Sequence, residues 1–146
     1  MKLKNYLNIL LLLFALSSYG QPAKTKILEH KLKFLKENLM LDKEKSEAFD
    51  KLYRNYDKKR TGLNQRFRKE VVGKIKNGTL NELSEKEQMQ IINTKLIIDK
   101  EKYELNQRFT KDLLSILPPV KVIMYYKLER QFNRKLIKKL KGRKRP

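Results

Sequence analysis

Two long stretches of this chain repeat apolar residues at the spacing of an α-helix, with almost no glycine or proline to interrupt them. In residues 43–76 and 84–117 the apolar positions recur every three or four residues, which places them on one face of a helix. The 146 residues include only five glycines and four prolines, whereas an all-β fold needs a turn about every 8–12 residues. The sequence therefore predicts an all-α fold.

Residues 1–20 have the three-part composition of a secretory signal peptide. Lys2 and Lys4 precede an apolar run over residues 9–16, and small residues follow it. A helix that spans a membrane needs roughly 20 apolar residues, and this run is shorter. We therefore expect export to the periplasm, with cleavage near Gly20-Gln21.

The length of the remaining chain is that of one domain. We expect a single all-helical domain over residues 21–141 and a basic disordered tail over residues 142–146. From Leu113 to the end, eleven basic residues face one acidic residue, Glu129. A segment with that charge concentrates anions around it.

The net charge of the whole chain indicates an anionic partner. Lysines and arginines number 36 and acidic residues 16, which gives +20 at pH 7. An exported protein does not normally meet the nucleic acid of the cell, so we expect no nucleic-acid partner. Acidic segments of envelope proteins, anionic lipid and lipopolysaccharide remain as partners for the basic surface.

The chain is poor in residues that carry out chemistry. It has no cysteine and one histidine, His30, which excludes thiolate catalysis, cysteine-ligated metals and disulfides. A metal at His30 would need further ligands, and the carboxylates are scattered and mostly matched to a cation at helical spacing. No glycine-rich phosphate loop is present. We expect no enzyme activity, no metal and no cofactor.

Capping residues and prolines divide the chain after the signal peptide into four helices, the first over residues 24–39. Asp42 is a suitable N-cap for a second helix that ends at Asn77-Gly78. Ser84, with a glutamate three residues later, is a capping box for the third. Pro118-Pro119 ends this helix and can open a fourth. We expect the two long helices to form an antiparallel hairpin, with the two shorter helices flanking it.

The apolar positions of the two long helices predict the core. They are Phe49, Tyr53, Tyr56, Leu63, Phe67, Val71 and Ile75 in the second helix, and Met89, Ile92, Leu96, Tyr103, Leu105, Phe109, Leu113 and Ile116 in the third. Ile91, Ile97 and Ile98 lie beside this stripe and broaden it. Left exposed, such a band would exceed the few hundred Å² typical of monomers, so we expect an antiparallel homodimer through the hairpin.

A segment of five residues occurs twice, 42 residues apart. Leu63-Asn64-Gln65-Arg66-Phe67 recurs as Leu105-Asn106-Gln107-Arg108-Phe109. Because 42 residues are six heptads, the two long helices present their apolar faces in the same phase. A true duplication and convergence on one pattern of bundle-facing residues both explain this repeat.

The candidate partner-binding residues are basic and aromatic side chains expected near the helix surfaces. Basic residues interrupt the apolar face of the second helix, and the aromatic residues of the fourth lie among lysines and arginines. The candidates are Lys59, Arg60, Tyr125, Tyr126, Arg130, Arg134 and Lys138.

Several of these segments resemble a known family. A signal peptide, a helix opening at Leu39-Met40-Leu41-Asp42, and a Leu-Pro-Pro-Val-Lys segment leading to Glu-Arg-Gln-Phe-Asn-Arg resemble the exported Bacteroidetes proteins labelled sensors of ECF-type sigma factors. These are relatives of the Spy/CpxP group of periplasmic stress proteins. Two Leu-Thr-x-x-Gln elements mark that group, and here only their leucines are retained. The matching residues are Leu41, Asp42, Leu117, Pro118, Pro119, Glu129, Arg130, Phe132 and Asn133.

The resemblance implies a thin helical cradle, usually a dimer, that holds unfolded envelope proteins without ATP. It equally implies a signalling protein that binds a membrane-bound regulator, such as an anti-sigma factor or sensor, and releases it under stress. A third hypothesis is a structural protein that binds lipopolysaccharide or anionic lipid through residues 134–145. The sequence alone leaves all three functions open.

Overall fold

The computed structural model describes residues 21–77 and 80–142, and within these residues the regular structure is entirely helical. Five α-helices occur in the described residues: α1 (Gln21–Asn38), α2 (Lys43–Phe67), α3 (Gly73–Asn77), α4 (Glu85–Ile116) and α5 (Pro119–Gly142). A π-helical turn (Arg68–Val72) joins α2 to α3, and a 3₁₀ turn (Leu80–Glu82) precedes α4. The all-α prediction is confirmed. None of the described helices is apolar enough over a sufficient length to cross a bilayer.

The helix starts follow the capping chemistry that the sequence predicts. The Asp42 carboxylate accepts a hydrogen bond from the Lys45 backbone N–H at 2.9 Å. At the start of α4, Ser84 and Glu87 form the complete capping box, in which the Ser84 backbone N–H donates to the Glu87 carboxylate at 2.9 Å. Helix α5 begins at Pro119, where proline suits the first turn. The predicted signal peptide and Gly78 lie outside the described residues, as does residue 143 onward.

The chain divides into two compact units. One consists of residues 41–126, and the other of the residues up to Met40 together with those from Lys127 onward. Helix α5 begins in the first unit and ends in the second. The single domain predicted for residues 21–141 stays a prediction.

The core of unit 41–126 contains a cluster of aromatic rings from α2, α4 and α5. Tyr56 stacks on Phe109 with ring centroids 3.9 Å apart. Tyr125 packs edge-on against Phe109 at 5.6 Å and against Phe49 at 6.1 Å. Tyr53 contacts all four of these rings and is fully buried. Offset and edge-to-face pairs of this kind contribute beyond the area they bury.

Polar and apolar contacts join α2 and the π-helical turn to α4. In the middle of α2, the Tyr56 hydroxyl donates to the Asn106 side-chain oxygen at 2.5 Å. Near the end of α2, Arg66 forms an ion pair of 2.7 Å with Glu101. Beyond it, Val71 packs in an aliphatic cluster with Ile91 and Ile98, in the first half of α4. The aromatic and aliphatic parts of this core thus lie at different ends of the α2–α4 contact.

The face of α4 that is buried in its first half differs from the predicted one. Ile91 and Ile98 are buried with Val71, and the buried series continues through Leu105 to Phe109. The residues predicted for the core there are exposed: Met89, Ile92, Leu96 and Tyr103. The prediction was wrong because α4 carries two apolar stripes, and periodicity does not show which stripe the neighbouring helix covers.

A second difference from the predicted core lies beyond the π-helical turn. Ile75 continues the predicted stripe of α2, yet it is exposed, whereas Val71 within the π turn is buried. A π turn contains more residues per turn than an α-helix. It therefore changes the register of the residues that follow, and Ile75 leaves the face that Val71 occupies.

The other unit pairs α1 with the later part of α5. Phe34 packs against Phe132 with ring centroids 5.6 Å apart. Leu32, Leu35, Leu39 and Leu128 are buried. The spacing of Leu32, Leu35 and Leu39 by three and four residues places them on one face of the helix. Helix α1 begins three residues before the predicted start at residue 24.

Candidate functional site: motif residues and interaction surfaces

A buried lysine lies at the centre of the residues that carry the family resemblance in α5. Lys31 is only 5% exposed. Its ammonium group donates to the Glu129 carboxylate at 2.9 Å and to the Asn133 side-chain oxygen at 3.1 Å. It also lies 5.8 Å from the centroid of the Phe132 ring. Because a buried ammonium must be paired and hydrogen-bonded, Glu129, Phe132 and Asn133 have a direct structural role in joining α5 to α1.

Sequence reasoning singled out the α5 part of this arrangement and missed Lys31. Lys31 follows His30 in a segment rich in lysines, and local composition does not separate it from its exposed neighbours Lys26 and Lys33. Its position between Leu28, Leu32 and Leu35, on the apolar side of α1, is the one available signal.

The two segments that correspond to the family's paired elements have capping roles. Asp42 caps α2, and Leu41 beside it is half-buried. Leu117 is buried at the end of α4, and Pro118 and Pro119 are exposed. The Pro118 carbonyl accepts the Lys121 backbone N–H at 2.9 Å, which begins α5. These residues fix where helices start and end.

The candidate partner-binding residues of unit 41–126 have different environments. Lys59 and Tyr126 are exposed, and the Tyr126 hydroxyl bonds the Thr110 hydroxyl. Arg60 forms an ion pair with Asp57 at 2.7 Å and covers the Tyr56 ring at 5.3 Å from its centroid.

Tyr125 is completely buried in the aromatic cluster. It is therefore a core residue, and its assignment to partner binding was wrong. Tyr125 and Tyr126 are adjacent, so they point to different sides of the helix, and only the packing of α5 decides which of them faces inward.

Arg130, Arg134 and Lys138 belong to the other unit, where all three side chains are exposed on α5. Their spacing of four residues places them along one side of the helix. Their assignment to the binding of an anionic partner stays a prediction.

An exposed apolar surface on α4, which we call the α4 outer stripe, consists of Met89, Ile92, Leu96 and Tyr103. Their exposed fractions are 48%, 50%, 59% and 62%. At about 100° per residue, they lie roughly opposite the buried series of Ile91, Ile98 and Leu105. The seven-residue spacing of that buried series was the signal that could have revealed it.

The charges of α4 differ from those of the rest of the chain. Its six basic residues are balanced by six acidic residues, in a chain whose net charge is +20. On this helix, Lys95 bonds Asp99 at 2.6 Å, and Lys100 lies 3.9 Å from Glu104. The α4 outer stripe is therefore apolar surface on an electrically neutral helix.

Three carboxyl groups of this unit have lowered pKa values. The pKa of Asp42 is lowered chiefly by the hydrogen bond from the Lys45 backbone N–H, and further by the ammonium groups of Lys45 and Lys121. The pKa of Glu87 is lowered by hydrogen bonds from the Ser84 hydroxyl and backbone N–H. The pKa of Asp99 is lowered by Lys95. All three are helix-cap or ion-pair groups, and all three side chains are exposed.

Comparison of the chain with protein-family models, with curated protein sequences and with solved structures finds no match.

Proposed function

We propose that this protein is an exported, periplasmic stress protein of the Spy/CpxP type that holds unfolded or acidic envelope proteins without ATP. The observation that carries the proposal is the α4 outer stripe. Four large apolar side chains remain about half exposed on one helix face. Residues 21–146 have a net charge of +18, since Lys2 and Lys4 lie in the predicted signal peptide, and this charge attracts acidic clients. The resemblance of the α5 motif to the sigma-factor-sensor proteins supports the same function.

The proposed mechanism has two parts. The positive field steers acidic segments of an unfolded client toward the protein and raises the association rate. The α4 outer stripe then holds apolar segments of the client weakly, since removing apolar surface from water contributes roughly 25 cal/mol per Å². Neither part consumes ATP.

The proposal includes the finer architecture. Helices α2 and α4 would be the arms of a long antiparallel hairpin, α1 and α5 would flank it, and two copies would form a cradle-shaped homodimer. Residues 1–20 would be the signal peptide removed on export.

The direct test is light scattering from an acidic client diluted out of denaturant, with and without this protein. We expect suppression of aggregation without ATP. Ile92→Gln/Leu96→Gln removes the middle of the α4 outer stripe and should require roughly tenfold more protein for equal suppression. The control Val120→Gln/Ile123→Gln changes two apolar residues on α5 that are more exposed, at 69% and 70%, and should behave as the unmodified chain. Equal activity of both double variants would exclude the α4 outer stripe as the holding surface.

Salt tests the electrostatic part separately. The Debye length falls from about 10 Å at 0.1 M salt to about 3 Å at 1 M, so holding should weaken across this range. If client holding were unchanged at high salt, the electrostatic part of the mechanism would be excluded and only the apolar part would stand.

Affinity capture from envelope extract separates holding from signalling. A broad mixture of captured proteins agrees with holding. One stoichiometric membrane protein would instead identify a regulator that binds this chain.

A further inference from the structure

The last two and a half turns of α5 form an amphipathic basic segment, residues 134–142, which we call the α5 end segment. At about 100° per residue, its three large apolar residues occupy one side of the helix and its five cations the other. The apolar residues are Leu136, Ile137 and Leu140, and the cations are Arg134, Lys135, Lys138, Lys139 and Lys141. The segment contains no acidic residue.

Both sides of the α5 end segment are accessible. Ile137 is 52% exposed and Leu140 is 49% exposed, and the five cations are all exposed. Lys135 lies 5.6 Å from the centroid of the Phe34 ring. Within the part of the chain that the structure describes, no carboxylate pairs with the five cations, so their charge remains available to a ligand.

The combination of an apolar side and a cationic side indicates that the ligand of the α5 end segment is an anionic lipid surface rather than a polyanion without apolar parts. Cations alone would fit any phosphate-rich or carboxylate-rich partner. Uncovered aliphatic side chains between rows of cations on a helix are the pattern of a helix that lies in the interface of a bilayer. A single-stranded nucleic acid would instead require aromatic stacking platforms, and residues 133–142 contain no aromatic residue.

We propose that the α5 end segment docks on an anionic phospholipid bilayer, parallel to its surface. Ile137 and Leu140 enter the boundary between headgroups and acyl chains, to a depth of about 5–10 Å. Arg134, Lys138 and Lys141 bind headgroup phosphates from one flank of the helix, their aliphatic stems following the apolar surface. The segment thereby holds the protein at the membrane, and this inference is independent of client holding by α4.

The test is co-sedimentation of the full chain with lipid vesicles. One set contains phosphatidylcholine with one third phosphatidylglycerol, and the other contains phosphatidylcholine alone. Because every variant retains residues 1–20 unchanged, the readout is the difference between variants and between lipid compositions. We expect binding to the anionic vesicles that weakens with salt, and much weaker binding to the neutral ones.

Two variants separate the charged side from the apolar side. Arg134→Gln/Lys138→Gln/Lys141→Gln should lower vesicle partitioning about a hundredfold, at about fivefold per cation near an anionic surface. Ile137→Gln/Leu140→Gln should lower it roughly tenfold with the net charge unchanged. Circular dichroism should show the same helix content in both variants, since all five residues are exposed.

Matched controls change the same residue types elsewhere. Lys51→Gln/Lys69→Gln/Lys111→Gln removes three exposed cations from unit 41–126, and Val120→Gln/Ile123→Gln removes two exposed apolar residues from the start of α5. Both should change partitioning by less than about threefold.

Three results would overturn the proposal. Equal losses of vesicle partitioning in the two triple variants would show that binding depends on the overall charge of the protein rather than on the α5 end segment. No loss in Ile137→Gln/Leu140→Gln would show that the apolar side does not enter the bilayer. Binding to lipopolysaccharide or to DNA without binding to phosphatidylglycerol vesicles would assign the cations to a different ligand. Light scattering measures client holding by the same variants in a separate assay. A failure of client holding can therefore be distinguished from a failure of membrane docking.

Discussion

At the scale of single residues, the pairing of Lys31 is the feature with the largest consequence. Lys31 and Glu129 are 98 positions apart in the sequence, and their ion pair joins α1 to α5. The side chains of Lys31 and Glu129 are 6% and 16% exposed. Water therefore cannot replace either partner well, and removing one of them leaves an uncompensated charge.

Glu129→Gln should destabilise the protein, by about 3 kcal/mol in the free energy of unfolding, because it leaves a buried ammonium without a carboxylate. The double variant Lys31→Met/Glu129→Gln should recover most of this loss, since no buried cation remains. The control Glu37→Gln breaks an exposed ion pair, in which the Glu37 side chain is 63% exposed and the Lys33 side chain 75%. It should lower the free energy of unfolding by less than about 0.5 kcal/mol. Urea titration measures all three variants. Equal effects of Glu129→Gln and Glu37→Gln would contradict burial of the Lys31 pair.

At the scale of helices, the start of α4 depends on the capping box of Ser84 and Glu87. The Ser84 hydroxyl accepts the Glu87 backbone N–H at 3.4 Å and donates to the Glu87 carboxylate at 2.7 Å. Such caps satisfy backbone donors that the helix itself leaves unpaired.

The two copies of the 42-residue repeat lie in different environments. Phe109 is buried in the aromatic cluster, whereas Phe67 is half-buried and Lys102 covers its ring at 4.6 Å from the centroid.

Ser84→Ala should lower the free energy of unfolding by about 1 kcal/mol, and Ser84→Thr should retain most of the stability. Thermal unfolding followed by circular dichroism measures both. Equal melting temperatures for Ser84→Ala and the unmodified chain would contradict a stabilising role for this cap.

The same cap predicts a pH dependence. Folding lowers the pKa of Glu87, as it does for Asp42 and Asp99. Stability from these carboxylates is fully present above their ordinary pKa values of about 4 and is lost as the pH falls through the lowered values. The melting temperature should therefore fall on acidification below about pH 4. Glu87→Gln should reduce this acid dependence, and identical pH profiles for the two proteins would exclude Glu87 as a contributor.

At the scale of the whole molecule, two opposing terms decide self-association. The net charge of +18 on residues 21–146 repels a second copy, and salt screens that repulsion. The exposed apolar residues of α4 favour association, although Ile91 and Ile98, which contributed to the predicted apolar band, are buried within unit 41–126. The surface available to a second copy is therefore smaller than the sequence indicates.

The proposed homodimer should tighten when salt is raised from a low to a moderate concentration, because salt screens the repulsion between two basic chains. Sedimentation velocity of residues 21–146 at tens of micromolar measures this directly. A monomer at both salt concentrations would contradict the homodimer and the cradle that depends on it.

The sequence by itself determined the helical class and the main helix starts. Scarcity of glycine and proline, the Asp42 cap, the Ser84 capping box and Pro118-Pro119 are local signals. A cap or a proline acts within one turn of its own helix, so these predictions needed no knowledge of the fold.

Only the tertiary structure decided which faces those helices bury. Helix α4 has an apolar stripe on each of two nearly opposite sides, and the contacts of Phe109 with Tyr56 and Tyr53 fix its rotation. The same packing places Tyr125 inside and leaves Tyr126 exposed. The burial of Lys31 depends on partners about a hundred residues away. The rotation of a helix about its axis and the pairing of side chains far apart in the sequence depend on several helices at once. The periodicity of a single helix therefore does not predict either of them.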